Sequence, residues 1–210
     1  QGEFNDIVEL RETDSLVQAG LLAPMPEEVY SLVENPGTCG GICYGVPLYT
    51  TTLGMIYNAE IFERLGLCAP RTYEEFLRVC ATLKASGYDA IALGAAGDRH
   101  MKYWGNYLFC NYIASGDGQA FWTKEKAAEM LGDFRDLASR GYINSRYRAV
   151  TDRETARAIS TRQAVMVYAG PQMLQQIENL NPQIRLGFFF LPGKNGTVYA
   201  MDDRSVQWGI

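Results

Sequence analysis

Between Gly45 and Phe76 the chain carries the stretch that most constrains its fold. Residues 45–57 are rich in β-branched and aromatic side chains, the composition of an extended strand. Asn58 stands where a helix N-cap belongs, and Gly66 suits the left-handed residue that ends a helix. Thr72 and Glu75 have the spacing of a capping box, so a second helix starts there. A long strand that feeds two helices in quick succession belongs in a mixed α/β fold, with the sheet covered by helices.

The rest of the chain continues the alternation. Phe76, Val79, Cys80 and Leu83 recur at helical spacing, which predicts an amphipathic helix from Thr72 to Ser86 ended by Gly87. Ala90 to Leu93 reads as a short buried strand. Residues 102–114 carry Tyr103, Trp104, Tyr107, Leu108 and Phe109, a strongly aromatic helix. Thr123 can cap a long helix that ends near Arg140 before Gly141. Thr151 and Glu154 form a second capping box, and Val165 to Tyr168 is another short strand. Pro171 suits the first position of a helix after Gly170. Leu186 to Leu191, a turn at Lys194-Asn195-Gly196 and a return strand Val198 to Met201 predict a hairpin. Asn195-Gly196-Thr197 also matches a glycosylation acceptor, but the turn accounts for it without a sugar. Nearer the start, Asp14 to Gly20 reads as the end of a helix, and Asn35 to Gly41 as a loop.

Composition excludes several classes. The 210 residues are 47% hydrophobic and 20% charged, as in a globular protein. A net charge of -5 gives no basic surface for nucleic acid. No apolar run approaches the roughly 20 residues of a membrane helix. No signal peptide is visible at Gln1, so a targeting segment is expected to have been removed or to lie outside this sequence. Five cysteines cannot pair completely within one chain. Cys80 reads as a buried thiol, while Cys39 and Cys43, in a Gly-rich turn, could approach each other.

Nothing in the sequence assembles a catalytic motif. There is no phosphate-binding glycine loop and no nucleophile elbow. His100 is the only histidine, so a triad or zinc site lacks partners, and no metal or cofactor is expected. Asp202 and Asp203 are adjacent carboxylates. Neighbours in a strand point to opposite faces, so the pair does not readily serve one glycosidic bond. The aromatic supply, 13 Tyr, 9 Phe and 3 Trp, permits sugar stacking without requiring it, because aromatics at helical spacing also build cores. For Tyr103, Trp104 and Tyr107 both readings stand.

The order and spacing of Tyr44 to Pro47, Tyr57-Asn58, Phe62 to Gly66 and Pro70 to Phe76 resemble the family 1 extracellular solute-binding proteins, receptors of ABC-type sugar importers. The resemblance continues through Gly87 to Leu93, Gly141 to Asn144, Ala164 to Met166, Gly170-Pro171 and Leu186 to Gly193. It implies a two-lobe, periplasmic-binding-protein-like (type II) α/β fold, with mostly the C-terminal lobe present and the N-terminal lobe incomplete. Residues 1–50 would be a remnant of the first lobe with the crossing strand, 51–204 the second lobe, and 205–210 the return. Leu16, Leu21 and Leu22 are then expected to lack partners.

Carried over by position, the ligand contacts implied are Tyr49, Thr50 and Thr51 on the crossing strand, His100, Tyr103 and Trp104, Gln172 after the Gly-Pro, and Asp202 with Arg204 on the return. Several sugar-binding members have Trp where Gln172 stands. That departure removes a stacking platform and leaves room for a smaller or more polar solute than a maltodextrin. The function implied is non-enzymatic, extracytoplasmic binding of a carbohydrate or related polar solute by a monomer, with ABC importer membrane subunits as partners. The competing classes are a glycoside hydrolase using Asp202 or Asp203, and a sensor domain with the same cleft.

Overall fold

The computed structural model describes residues 6–10, 13–47, 51–97, 99–114, 123–194, 196–198, 200–203 and 207–210. In chain order the elements begin with β1 (Val8–Leu10), α1 (Thr13–Gln18), α2 (Glu27–Tyr30), β2 (Gly37–Cys39) and β3 (Ile42–Pro47). There follow β4 (Thr51–Asn58), α3 (Ala59–Arg64), α4 (Tyr73–Ala85), β5 (Asp89–Ile91), α5 (Arg99–Ala114) and α6 (Lys124–Ser139). A 3-10 turn at Tyr147–Ala149 precedes α7 (Asp152–Ser160), β6 (Ala164–Ala169) and α8 (Pro171–Leu180). The chain then forms β7 (Leu186–Phe189), β8 (Met201–Asp203) and β9 (Gln207–Gly209). It divides into two compact units, residues 1–51 with 202–210, and residues 52–201.

The first unit holds an antiparallel sheet in the order β1-β9-β3-β2. The Gly-rich segment expected to be a loop contains β2. Gly40 and Gly41 both take positive φ, 58° and 81°, and Cys39 pairs with Ile42 across them. Two consecutive positive-φ residues form the hairpin turn whose twist matches the strands, and glycine adopts it without strain. In this register Cys43 faces Thr38 rather than Cys39, and both thiols are free. Leu21 is exposed, Leu16 and Leu22 are half-buried, and Ile7, Leu32 and Ile42 are also exposed.

The second unit is built on a sheet ordered β5-β6-β4-β7, with β8 also paired to β4. β6 is parallel to β5 and antiparallel to β4, which is antiparallel to β7. Every residue of β6 is buried. Such a strand needs cover on both faces, and helices supply it. Met55, Met166 and Tyr168 join a core with Phe76, Val79, Cys80 and Leu83 of α4, Trp104 and Tyr107 of α5, and Leu137 of α6. Ile56, Val167 and Ala169 join another with Ala156 and Ile159 of α7 and Met173 and Ile177 of α8.

The helix starts are set locally. Thr72 Oγ1 accepts the Glu75 N–H at 3.1 Å, and the Glu75 carboxylate accepts the Thr72 N–H at 3.3 Å. Thr151 and Glu154 repeat the arrangement on α7. Asn58 Oδ1 accepts the Ile61 N–H at 3.0 Å and starts α3. The hairpin after β7 is shorter than its sequence predicts. Val198 forms only an isolated bridge with Pro192, and the regular strand starts at Met201, on β4. Gly193 and Thr197 close a tight loop, since the Gly193 N–H donates to the Thr197 carbonyl at 2.9 Å. Asn195 lies outside the described residues.

Trp104 is a core residue, 1% exposed, with ring centroids of Tyr168, Tyr107 and Phe134 at 5.3, 5.9 and 6.0 Å. Its indole N–H finds no hydrogen-bond partner among the described residues. Trp104→Ala should therefore cost about 3–5 kcal/mol in a denaturant melt. Trp104→Phe should cost much less, because it keeps a ring and removes the unpaired donor. Equal losses for the two variants would contradict this placement.

Candidate functional site

Parallel pairing of β5 and β6 sends both strands out at the same end of the sheet, where open α/β sheets take ligands. There the chain after β5 leads into α5, and Gly170 leads from β6 into α8. α7 starts beside them at Asp152. Arg99, His100, Tyr103, Asp152, Gly170, Gln172 and Gln176 surround a small hollow of about 10 Å³. That is room for about one water, so any larger ligand must be taken at the open surface.

The centre of the cluster is His100, 1% exposed. The Gly94 N–H donates to its Nδ1 at 3.3 Å, so the neutral ring carries its proton on Nε2. Nε2 lies 3.8 Å from Asp152 Oδ1, while Arg99 lies 3.4 Å from Asp152 Oδ2. Burial holds the imidazole below its ordinary pKa; the Asp152 carboxylate opposes that shift and Arg99 adds to it. The Asp152 side chain is 31% exposed, so a carboxylate with donors on both sides still faces solvent. Tyr103 is half-buried beside His100, with ring centroids 6.2 Å apart, and Gln172 is exposed. The arrangement offers a partly exposed carboxylate, guanidinium and amide groups and one aromatic edge, which suits a ligand rich in hydroxyl groups.

His100, Tyr103 and Gln172, expected to touch ligand, thus meet in space. Trp104 does not join them, because its side chain is enclosed by the core. Thr51 starts β4 and is 4% exposed. Asp202 falls in β8, but its side chain, like residues Tyr49, Thr50 and Arg204, lies outside the described residues. Sequence reasoning missed Arg99, Asp152 and Gln176. The one available signal for Asp152 was its position directly after the Thr151 cap, where an acidic side chain sits at an exposed helix start.

The groove between the 66–71 segment, α4 and Phe189-Phe190 is mainly apolar, and its carboxylate at Glu75 is already engaged by the Arg71 and Thr72 N–H groups.

The buried imidazole makes stability depend on pH with a defined sign. Its folded pKa is below 6.5, so the unfolded chain takes the proton first. Stability is then complete above the unfolded value and falls as pH drops beneath it. The Asp89 carboxyl, pushed up by burial, acts in the opposite sense, so the comparison of wild type with His100→Asn isolates the effect. NMR titration of the single imidazole should give a midpoint below 6.5. A midpoint above it would contradict the buried, neutral ring.

Comparison with known proteins agrees with this architecture. The multiple sugar-binding protein of Streptococcus mutans is 26% identical over 178 residues, covering 78% of this chain and 42% of that protein. A chitin oligosaccharide binding protein superposes with a TM-score of 0.80 at 23% identity, over 97% of this chain and 56% of that one. The solute-binding protein RafE, known from Streptococcus pneumoniae, superposes in its raffinose complex with a TM-score of 0.76 at 18% identity, over 94% of this chain and 56% of that one. The chain spans about half the length of these relatives. The profile of the bacterial extracellular solute-binding proteins matches residues 5–209, and the chain belongs to that family.

Proposed function

We propose that the chain is the ligand-reading part of a non-enzymatic, extracytoplasmic receptor for a carbohydrate, which delivers it to an ABC importer. The observation that carries this reading is the meeting of Arg99, His100, Tyr103, Asp152, Gln172 and Gln176 at the carboxyl ends of β5 and β6. Family membership and the names of its relatives, a multiple sugar-binding protein and a raffinose complex among them, support the ligand class.

In this reading Asp152 accepts hydrogen bonds from sugar hydroxyls, held in orientation by Arg99. Gln172 both donates and accepts, and Tyr103 supplies the apolar edge. With Gln172 in place of a tryptophan and Trp104 in the core, recognition rests more on hydrogen bonds than on ring stacking, which favours short, polar oligosaccharides. Ligand capture stabilises the closed arrangement of a two-lobe receptor, and the importer reads that arrangement.

Calorimetric titration of the full-length protein with raffinose and with chitin oligosaccharides tests the proposal. One of them should bind, and Asp152→Ala should lose about 1.5–3 kcal/mol of affinity, the usual scale for a hydrogen bond to a charged group. Gln172→Ala should lose less, with the melting temperature nearly unchanged. Binding that is indifferent to both substitutions would sink the assignment of this surface.

A further inference from the structure

The two arms of the proposed ligand surface come from distant parts of the chain. His100 sits in the first turn of α5, and Asp152 is the first residue of α7. What lies between them is the segment after β5. Its backbone is laced to the segment before α7. Asn144 Oδ1 accepts the Leu93 N–H at 2.8 Å, and Asn144 Nδ2 donates to the Leu93 carbonyl at 3.1 Å. The Ala95 and Ala96 N–H groups donate to the Tyr147 and Val150 carbonyls at 2.8 and 3.0 Å.

Gly94 occupies the centre of this lacing and is buried. Its N–H holds His100 Nδ1. On its other side it touches the start of α7 so closely that no side chain fits. A Cβ there would lie 2.5 Å from Thr155 Oγ1, 2.9 Å from the Thr151 carbonyl oxygen and 3.0 Å from the Val150 carbonyl oxygen. Two of those atoms are backbone and cannot swing aside. The third belongs to a fully buried threonine whose hydroxyl donates to the Thr151 carbonyl at 2.9 Å. Thr151 is the cap of the helix that begins with Asp152. A side chain at position 94 must therefore move the first turn of α7 away from the segment that holds His100.

We infer that Gly94 is a positioning residue, which fixes the separation and orientation of His100 and Asp152 through its amide on one side and its missing side chain on the other. The inference rests on the ligand surface proposed above for its functional meaning, and on the geometry alone for its structural content.

The test is Gly94→Ala in the full chain, read by the NMR signals of the single imidazole and by raffinose titration. Val79→Ala, a core truncation in α4, serves as the control for simple destabilisation. Gly94→Ala should shift the imidazole nitrogen resonances and its titration midpoint, and weaken raffinose binding by about tenfold. Val79→Ala should lower the melting temperature and change neither. If Gly94→Ala fails to fold, the double variant Gly94→Ala with Thr155→Ala removes the nearest clash and takes its place. Unchanged imidazole signals and unchanged raffinose affinity in the position-94 variant would overturn the inference, as would equal changes in Val79→Ala. So would a wild-type imidazole that is neutral with its proton on Nδ1. The imidazole readout needs no ligand. A wild type that binds no sugar, with a shifted imidazole in Gly94→Ala, would remove the proposed ligand while leaving the positioning role in place.

Discussion

Antiparallel pairing of β4 with β6 holds the second unit together. Its register runs from Gly54 opposite Ala169 to Tyr57 opposite Met166. A slip of one residue would turn Met55 away from the core under α4, α5 and α6 and bring Ile56 into it, exchanging the two buried faces. Because both faces are covered and close-packed, the cost of such a slip is the misfit of the exchanged side chains in the two cores. The same register decides where β6 stops. Ala169 ends opposite Gly54, and from there Gly170 turns the chain into α8, next to Asp152 and His100.

Around that end of the sheet, burial and charge pull against each other. The imidazole of His100 is kept neutral chiefly because it is out of water, although a carboxylate stands 3.8 Å away. Asp152 keeps its place for a different reason. It sits in the first turn of α7, where backbone N–H groups point outward and favour negative charge, and Arg99 flanks it. The surface therefore presents a partly exposed carboxylate between a buried imidazole and an exposed guanidinium. Such a carboxylate can accept hydrogen bonds at the open surface.

Much of the fold could be read from the sequence because its instructions are local. Thr72 with Glu75, Thr151 with Glu154, and Asn58 each start a helix within one turn, and the structure contains all three caps. The alternation of strand and helix gave the covered sheet for the same reason. β2 was hidden because a three-residue, glycine-containing strand has no pattern of its own and exists through its pairing with β3. Trp104 was undecided because helical spacing shows that aromatics share a face but not which face meets the sheet. Asp152 was missed because its neighbours Arg99 and His100 come from another helix, and nothing local to α7 announces them. Helices and strands are written in short-range chemistry, and the site depends on which ends the topology brings together.

The order in which these partners are synthesised has a consequence for folding. Met55 and Ile56 are made well before their partners, Tyr168 and Val167 on one side and Phe189 and Phe188 on the other, which lie far downstream in the sequence. Until then a strand with an apolar centre has no ladder to join, and the chain that carries it is exposed to aggregation and to capture by holding factors. Closing contacts over such long sequence separations is slow.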